Sequence, residues 1–203
     1  MSKIHSKNIY QNPNSALEYF SHIQINPINL NEQNIIKGLF PELKGKYTLE
    51  IGCAGAIYSR EMLSKNALKV DSMDYSLAMI EIAKKITKNE VSYKHQDINL
   101  NLDIKSKYDF ICASYILHYS KTLIKTLTNI VKGLKRRGLL VFSVPNPELF
   151  KEGENLFSLG DKKISTNFYN HPEKLYLETL NNLGTVIKVH KDENVLIIKF
   201  RKN

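Results

Sequence analysis

Three carboxylates stand at the ends of short apolar runs, and the chemistry they offer is recognition of hydroxyl and amino groups. Glu50 closes YTLEI and leads directly into Gly52, Cys53, Ala54, Gly55 and Ala56, a turn of small residues. Asp74 ends the next run about 22 residues after Gly52, Asp97 follows a third run in HQDI, and Ser114 ends a fourth, YDFICAS. A carboxylate after a second strand can accept both hydroxyls of a ribose, and one after a third can take the amino group of an adenine. The small-residue turn is the kind that lets backbone approach a nucleotide-like ligand, although Ala54 and Ala56 stand where glycine would be expected. A left-handed Ala54 would cost ~1–2 kcal/mol, about one decade of affinity, which weakens such a loop without disabling it. His118, in YILHYS beside Tyr115 and Tyr119, offers a general base or a holder for a carboxylate; its alternative is a cap on the helix that follows.

These residues need a scaffold that brings strand ends together. Strand candidates are 47–51, 67–73, 91–95, 108–114, 138–144, 185–190 and 194–200. YDFICAS and LLVFSV are apolar on both faces, as expected for strands covered by helices on either side. Between them, AIYSREMLSK, SLAMIEIAKKIT, TLIKTLTNIVKGLK and HPEKLYLETLNNLG carry helical signatures. The fourth has Pro172 near its start, Glu173 in its first turn and Gly184 at its end. Alternation of this kind implies an α/β, Rossmann-like doubly wound sheet of seven strands, mostly parallel. The last two strands, joined only by KDE, must pair as an antiparallel hairpin. Ahead of the first strand, SALEYFSHI (15–23) has Ser15 as an N-cap with Glu18 three residues on. NEQNIIKGLF (31–40) reads as a second short helix, so residues 1–45 form a helical cap on one domain spanning 1–203.

The 203 residues carry a net charge of +9, and Lys, Asn and Ile are abundant throughout. That charge admits a nucleic-acid partner, but the basic residues are scattered, which favours solvated helix faces. No apolar run approaches the ~20 residues of a membrane span, and the first residues lack the apolar core of a signal peptide; a cytoplasmic location follows. Cys53 and Cys112 belong to no metal or disulfide spacing and read as buried reduced thiols.

In this order, the runs resemble the class I S-adenosylmethionine (SAM)-dependent methyltransferases, in the group of small-molecule methylases that includes the ubiquinone and menaquinone enzymes. YTLEIGCAGAIYSREML is similar to that family's first motif and VDSMDYSLAMIEIAKK to its second. YKHQDINL and KYDFICASYILHY resemble the third and fourth, and LTNIVKGLKRRGLLVFSVPNP the helix, basic turn and strand that follow. The match covers roughly residues 10–200. The resemblance implies SAM as cofactor and distributes its contacts. Glu50 would meet the amino-acid end, with Gly52, Cys53 and Ala54 as the loop beneath it. Asp74 would take the ribose, Tyr75 would pack on the adenine, and Asp97 with Ile98 would read the adenine edge. The Ser114 region would meet the methionyl amino group and Tyr19 would close over the site. It aligns Asp74 rather than Asp71 with the ribose, leaving Asp71 as an edge or surface carboxylate. SAM carries no pyrophosphate, so its loop tolerates alanine better than a dinucleotide loop does.

The resemblance further implies methyl transfer to an O or N atom of a small or carrier-bound acceptor, His118 being the candidate base and no metal being required. The Asn/Asp/Ser-Pro-Pro-Tyr/Phe motif of base-amine methylation is absent after strand four, where the chain reads ASYI. Residues 145–170, with Phe150, Phe157, Phe168 and Tyr169, read as a long connection that walls the acceptor pocket. Two alternatives remain at this point: an RNA methyltransferase using the basic surface, and a non-catalytic SAM-binding partner subunit.

Overall fold

The computed structural model describes residues 4–5, 10–100, 102, 104, 106–150, 152–159 and 162–203. A short strand β1 (Ile4–His5) is followed by two helices, α1 (Pro13–Ile23) and α2 (Pro27–Gly38). Five strands and three helices come next: β2 (Tyr47–Ile51), α3 (Ile57–Ser64), β3 (Lys69–Asp74), α4 (Leu77–Thr87), β4 (Ser92–His95), β5 (Tyr108–Ala113), α5 (Leu123–Gly133) and β6 (Leu134–Pro145). The chain ends with β7 (Gly153–Leu159), β8 (Lys162–Phe168), α6 (Glu173–Asn181), β9 (Gly184–Lys191) and β10 (Val195–Lys202).

Seven strands form the central sheet in the order β4-β3-β2-β5-β6-β10-β9. The five from β4 to β6 are parallel, and β10 enters antiparallel between β6 and β9. The expected Rossmann-like sheet with its antiparallel C-terminal hairpin is thus present. Its apolar-on-both-faces strands are where the burial is deepest: Phe110, Ile111, Cys112 and Ala113 of β5 and Leu140, Val141 and Phe142 of β6 are all at 0% exposure. One layer of core lies against α5 and α6, the other beneath α1, α2 and α3. The reversal of strand order falls between β2 and β5, where a crevice opens at the carboxyl ends.

The N-terminal helices begin earlier than their apolar residues suggest. Asn12, not Ser15, caps α1: its Oδ1 accepts from Asn14 N (3.0 Å) and Ser15 N (3.1 Å), with Pro13 in the first turn. Asn26 repeats the device for α2, accepting from Ile28 N (3.0 Å) and Asn29 N (3.3 Å) ahead of Pro27. Proline needs no donor in the first turn and asparagine supplies the missing acceptor, so an Asn-Pro pair starts a helix outright. Ala16, Phe20 and Ile23 face inward from α1 at helical spacing. At the other end, α6 stops at Asn181, before Gly184. Gly184 opens β9, where any side chain would collide with Arg201 O and the Phe200 ring.

The largest departure from expectation is at 145–170. This segment is no open connection: β7 and β8 form an antiparallel hairpin, paired from Gly153↔Phe168 to Leu159↔Lys162, and β1 adds to β8 in parallel. No proline interrupts the chain between Pro147 and Pro172, so both arms can hydrogen-bond. The aromatic wall is also divided. Phe168 packs against His118 (4.3 Å between ring centres) and Tyr119 (5.6 Å), with Phe150 5.9 Å away, while the Phe157 side chain lies outside the described residues. Among the described residues no helix is long and apolar enough to cross a membrane.

Candidate functional site

The crevice at the carboxyl ends of β2 to β5 is a cavity of about 400 Å³, roofed by α1 and α2. A volume in the range of ~300–1,000 Å³ suits a small organic ligand. Tyr19, Glu50, Gly52, Cys53, Ala54, Asp74, Tyr75, Asp97, Ile98 and Ser114 all line it. Residues from position 50 to 114 therefore share one wall, because parallel strands all deliver their carboxyl ends to the same edge, and Tyr19 joins them from α1.

The turn after β2 has unusual backbone at four of its five positions from Gly52 to Ala56. Gly52 (φ 77°), Ala54 (35°), Gly55 (92°) and Ala56 (64°) all lie in the left-handed region. Both alanines thus take the conformation that costs an L-residue ~1–2 kcal/mol. Two neighbours hold them there. Asp74 Oδ2 accepts from Ala54 N (3.1 Å), and Ala56 N donates to Cys53 O (2.6 Å). Gly55 resists substitution: besides its positive φ, a Cβ there would come within 2.4 Å of the Phe20 ring of α1.

Ala56 precedes α3 but has no side chain that could cap it. Glu50 does the capping from the sheet. Its Oε1 accepts from Tyr58 N (3.1 Å) and its Oε2 from Ser59 N (2.8 Å) and Ser59 Oγ (2.5 Å). A carboxylate at a helix N-terminus meets free N–H groups and the positive end of the helix dipole. Burial nonetheless dominates, pushing the Glu50 carboxyl up to about 7 against the pull of those donors.

Asp74 is a two-sided tie. Its Oδ1 accepts from Ser76 N (2.8 Å) at the start of α4, and its Oδ2 holds the β2 turn. Burial raises its pKa, opposed by these same hydrogen bonds. Asp97 forms its own turn, Oδ1 accepting from Asn99 N (2.8 Å) and Nδ2 (3.2 Å). Tyr75 is the half-exposed member of the wall at 39%, its carbonyl engaged by His95 Nε2 (2.7 Å). Tyr19 stands edge-on to Tyr10 (5.0 Å between ring centres). Asp71 is a partly exposed carboxylate. It accepts from Lys107 Nζ (2.6 Å) and Tyr108 Oη (2.8 Å), a structural tie outside the cavity.

His118 falls elsewhere. It lies in the short 3₁₀ turn Leu117–Tyr119 after β5, buried against Tyr119 and Phe168, and lines a separate cleft of about 10 Å³ rather than the large cavity. Burial, reinforced by His171, lowers its pKa to about 3. His171 Nε2 meets Ser120 O at 2.7 Å. Cys53 and Cys112 are free and buried. Among the described residues no group of three metal-ligating side chains converges.

The residue that the motifs do not reveal is Glu32. It is 1% exposed, lines the cavity from α2, and accepts from Ser114 Oγ (2.7 Å), Ser143 Oγ (2.5 Å) and Tyr58 Oη (2.6 Å). The sequence does hold a sign of it: Glu32 sits one turn before Ile36, so a carboxylate occupies the buried stripe of an amphipathic helix. Tyr10, Gln33, Tyr115 and Tyr119 join the wall as well. Tyr115 does so with φ 46°, held by Ser143 through both its carbonyl (3.1 Å) and its hydroxyl (3.0 Å).

Known proteins resemble this chain in sequence and in fold. The family model for the methyltransferase domain matches residues 23–182. A ubiquinone biosynthesis O-methyltransferase of Coxiella burnetii is 31% identical over 127 residues, covering 60% of this chain and 51% of the relative. A malonyl-[acyl-carrier protein] O-methyltransferase of Priestia megaterium is 34% identical over 119 residues, covering 57% and 43%. The chain thus matches about half the length of these relatives. Among solved structures, an S-adenosylmethionine-dependent methyltransferase from Mesorhizobium loti superposes with a TM-score of 0.72 at 14% identity, covering 83% of this chain and 96% of that one. With a family match across most of its length and the fold to go with it, this chain belongs to the methyltransferase-domain family.

Proposed function

We propose that the chain is a SAM-dependent methyltransferase that methylates an O or N atom of a small or carrier-held acceptor. The observation that carries this reading is the charge of the cavity. Glu32, Glu50, Asp74 and Asp97 line it, against the single lysine Lys121. Such a wall fits a ligand of net positive charge, and SAM, with a sulfonium, an ammonium and one carboxylate, is such a ligand. Bound, it would supply an activated methyl carbon open to in-line displacement.

The protein's part is then to bind, align and exclude water. Asp74 holds the ribose hydroxyls while tying down the β2 turn, so the binding group and the loop are positioned by one side chain. Asp97 and Ile98 meet the adenine edge and Tyr75 covers it. Gly52 to Ala54 floor the amino-acid end. Tyr10 and Tyr19 close the roof from the N-terminal cap, which we read as part of one domain with the sheet. The β7–β8 hairpin contributes Thr166 and Asn167 to the far side of the cavity, the natural place for acceptor selection. His118 is given no proton-transfer role: it faces another cleft and is too weak a base. An acceptor nucleophilic without a strong base suits this site. The names of the two relatives favour an oxygen acceptor, and one of them a carrier-held one. A cytoplasmic setting accords with the two free thiols.

An RNA acceptor gains no support, since the basic residues are scattered along the sequence while the cavity is lined by four carboxylates. Calorimetry with SAM tests the proposal. Saturable binding should weaken on the order of 100-fold in Asp74→Ala, as expected for losing two hydrogen bonds to a charged group. Absence of binding, or binding indifferent to that change, refutes it.

A further inference from the structure

We propose that Glu32 is the anchor for the α-ammonium group of the cofactor's amino-acid tail. The proposal rests on the SAM reading above and adds a residue to it. The strand ends supply a ruler: Asp97, Asp74, Gly52 and Ser114 follow β4, β3, β2 and β5, adjacent strands of the sheet. Strands ~4.8 Å apart place these stations along a path of about 14 Å. A ligand with its base at Asp97 and its ribose at Asp74 therefore extends its tail toward Ser114, whose Oγ is 2.7 Å from Glu32 Oε1.

Two carboxylates lie at that end of the cavity, and one is already committed. Glu50 has both oxygens engaged by the first turn of α3. Glu32 is differently furnished. Ser114 and Ser143 saturate Oε1, while Oε2 accepts from Tyr58 alone. A carboxylate has about four acceptor positions, so one on Oε2 is left. Three hydroxyls turned toward a single carboxylate stabilise its ionised form. Yet no lysine or arginine pairs with it among the described residues. A buried carboxylate with no cation in contact is costly, and burial raises its pKa against the three hydroxyls and the weaker, more distant pull of Lys37. An ammonium entering the cavity supplies both the missing charge and a donor for the open position. An α-ammonium is the part of SAM that matches, since the sulfonium cannot donate a hydrogen bond.

The test compares ligands with and without the tail. Wild-type protein and Glu32→Gln are titrated calorimetrically with S-adenosylhomocysteine and with 5′-methylthioadenosine, which keeps the base, ribose and sulfur but lacks the amino acid. Glu32→Gln should lose roughly 10- to 100-fold in affinity for S-adenosylhomocysteine, the span of one hydrogen bond between charged groups. Its affinity for 5′-methylthioadenosine should stay within threefold. Parallel losses for both ligands would make Glu32 a structural support and overturn the proposal, as would no loss for either. Should Glu32→Gln fail to fold, Glu32→Asp, which keeps the charge but withdraws it, must show the same selective loss. Wild-type protein that binds neither ligand would refute the SAM reading itself. Wild-type binding with an unselective variant refutes only the role of Glu32.

Discussion

Replacing each alanine of the β2 turn by glycine separates backbone strain from packing. Ala54 and Ala56 both have positive φ, 35° and 64°, so glycine should recover ~1–2 kcal/mol at either position. Against this, glycine frees the unfolded chain, which costs ~0.4–1 kcal/mol. At Ala54 the further penalty is smaller than for a fully buried methyl, because the residue lines the cavity and is only partly buried against the core. Ala56 differs: it is fully buried among Cys53, Ile80 and Ala83, and losing a buried methyl costs ~0.8 kcal/mol. Ala54→Gly should therefore stabilise the protein by about 0.5–1 kcal/mol, and Ala56→Gly should be close to neutral. In a chain of this length each kcal/mol moves the melting temperature by about 2–4 °C. Urea midpoints and thermal melts of the two variants resolve such a difference. A loss of stability in Ala54→Gly, or a larger gain at Ala56 than at Ala54, would refute the reasoning.

Four further outcomes follow from the same geometry. Gly55→Ala should cost about 2–5 kcal/mol, from positive φ and collision with Phe20 together, read as a fall in the urea midpoint. Glu50 makes stability depend on pH in a definite direction. Its carboxyl titrates at about 7 in the fold against 4.5 ordinarily, so between these values only the folded state keeps the proton. That favours folding less and less as pH rises through the window, by up to about 3 kcal/mol. Glu50→Gln should gain on the wild type by that amount between pH 4.5 and 7, and parallel pH profiles would contradict the assignment. Asp71→Asn should lower stability by about 1 kcal/mol through its ties to Lys107 and Tyr108, with SAM affinity unchanged in calorimetry. Asn12→Ala and Asn26→Ala should each cost ~1 kcal/mol as lost helix caps, measured by thermal unfolding.

Much of the scaffold was legible because it rests on short-range pattern. Runs such as YDFICAS and LLVFSV can only be buried strands once helical segments alternate with them, and a three-residue link between the last two strands permits only a hairpin. Placing Glu50, Asp74, Asp97 and Ser114 on one wall needed no side-chain coordinates, since parallel strands deliver their ends to a common edge. The N-terminal helices start earlier than expected for a local reason: Asn12-Pro13 outranks Ser15, and Asn26-Pro27 starts α2 ahead of position 31, because proline forgoes the donor that asparagine would otherwise have to satisfy.

The 145–170 segment was not legible, because its strands are stabilised by partners distant in sequence. β8 pairs with β1 across some 160 residues, and a hairpin of mixed polarity has no periodic signature strong enough to declare itself. His118 and Glu32 fail in opposite ways for one reason. A histidine just past a strand end looks available, yet the fold turns it into a cleft with Phe168; a glutamate in an Asn-rich helix looks solvated, yet α2 carries it into the cavity to meet three hydroxyls. The sequence by itself determined the sheet, the strand ends and the carboxylates standing on them. Tertiary structure alone decided which side chains face the cavity, because that depends on how the helices and the hairpin pack over the crevice, and burial then shifts each group's pKa.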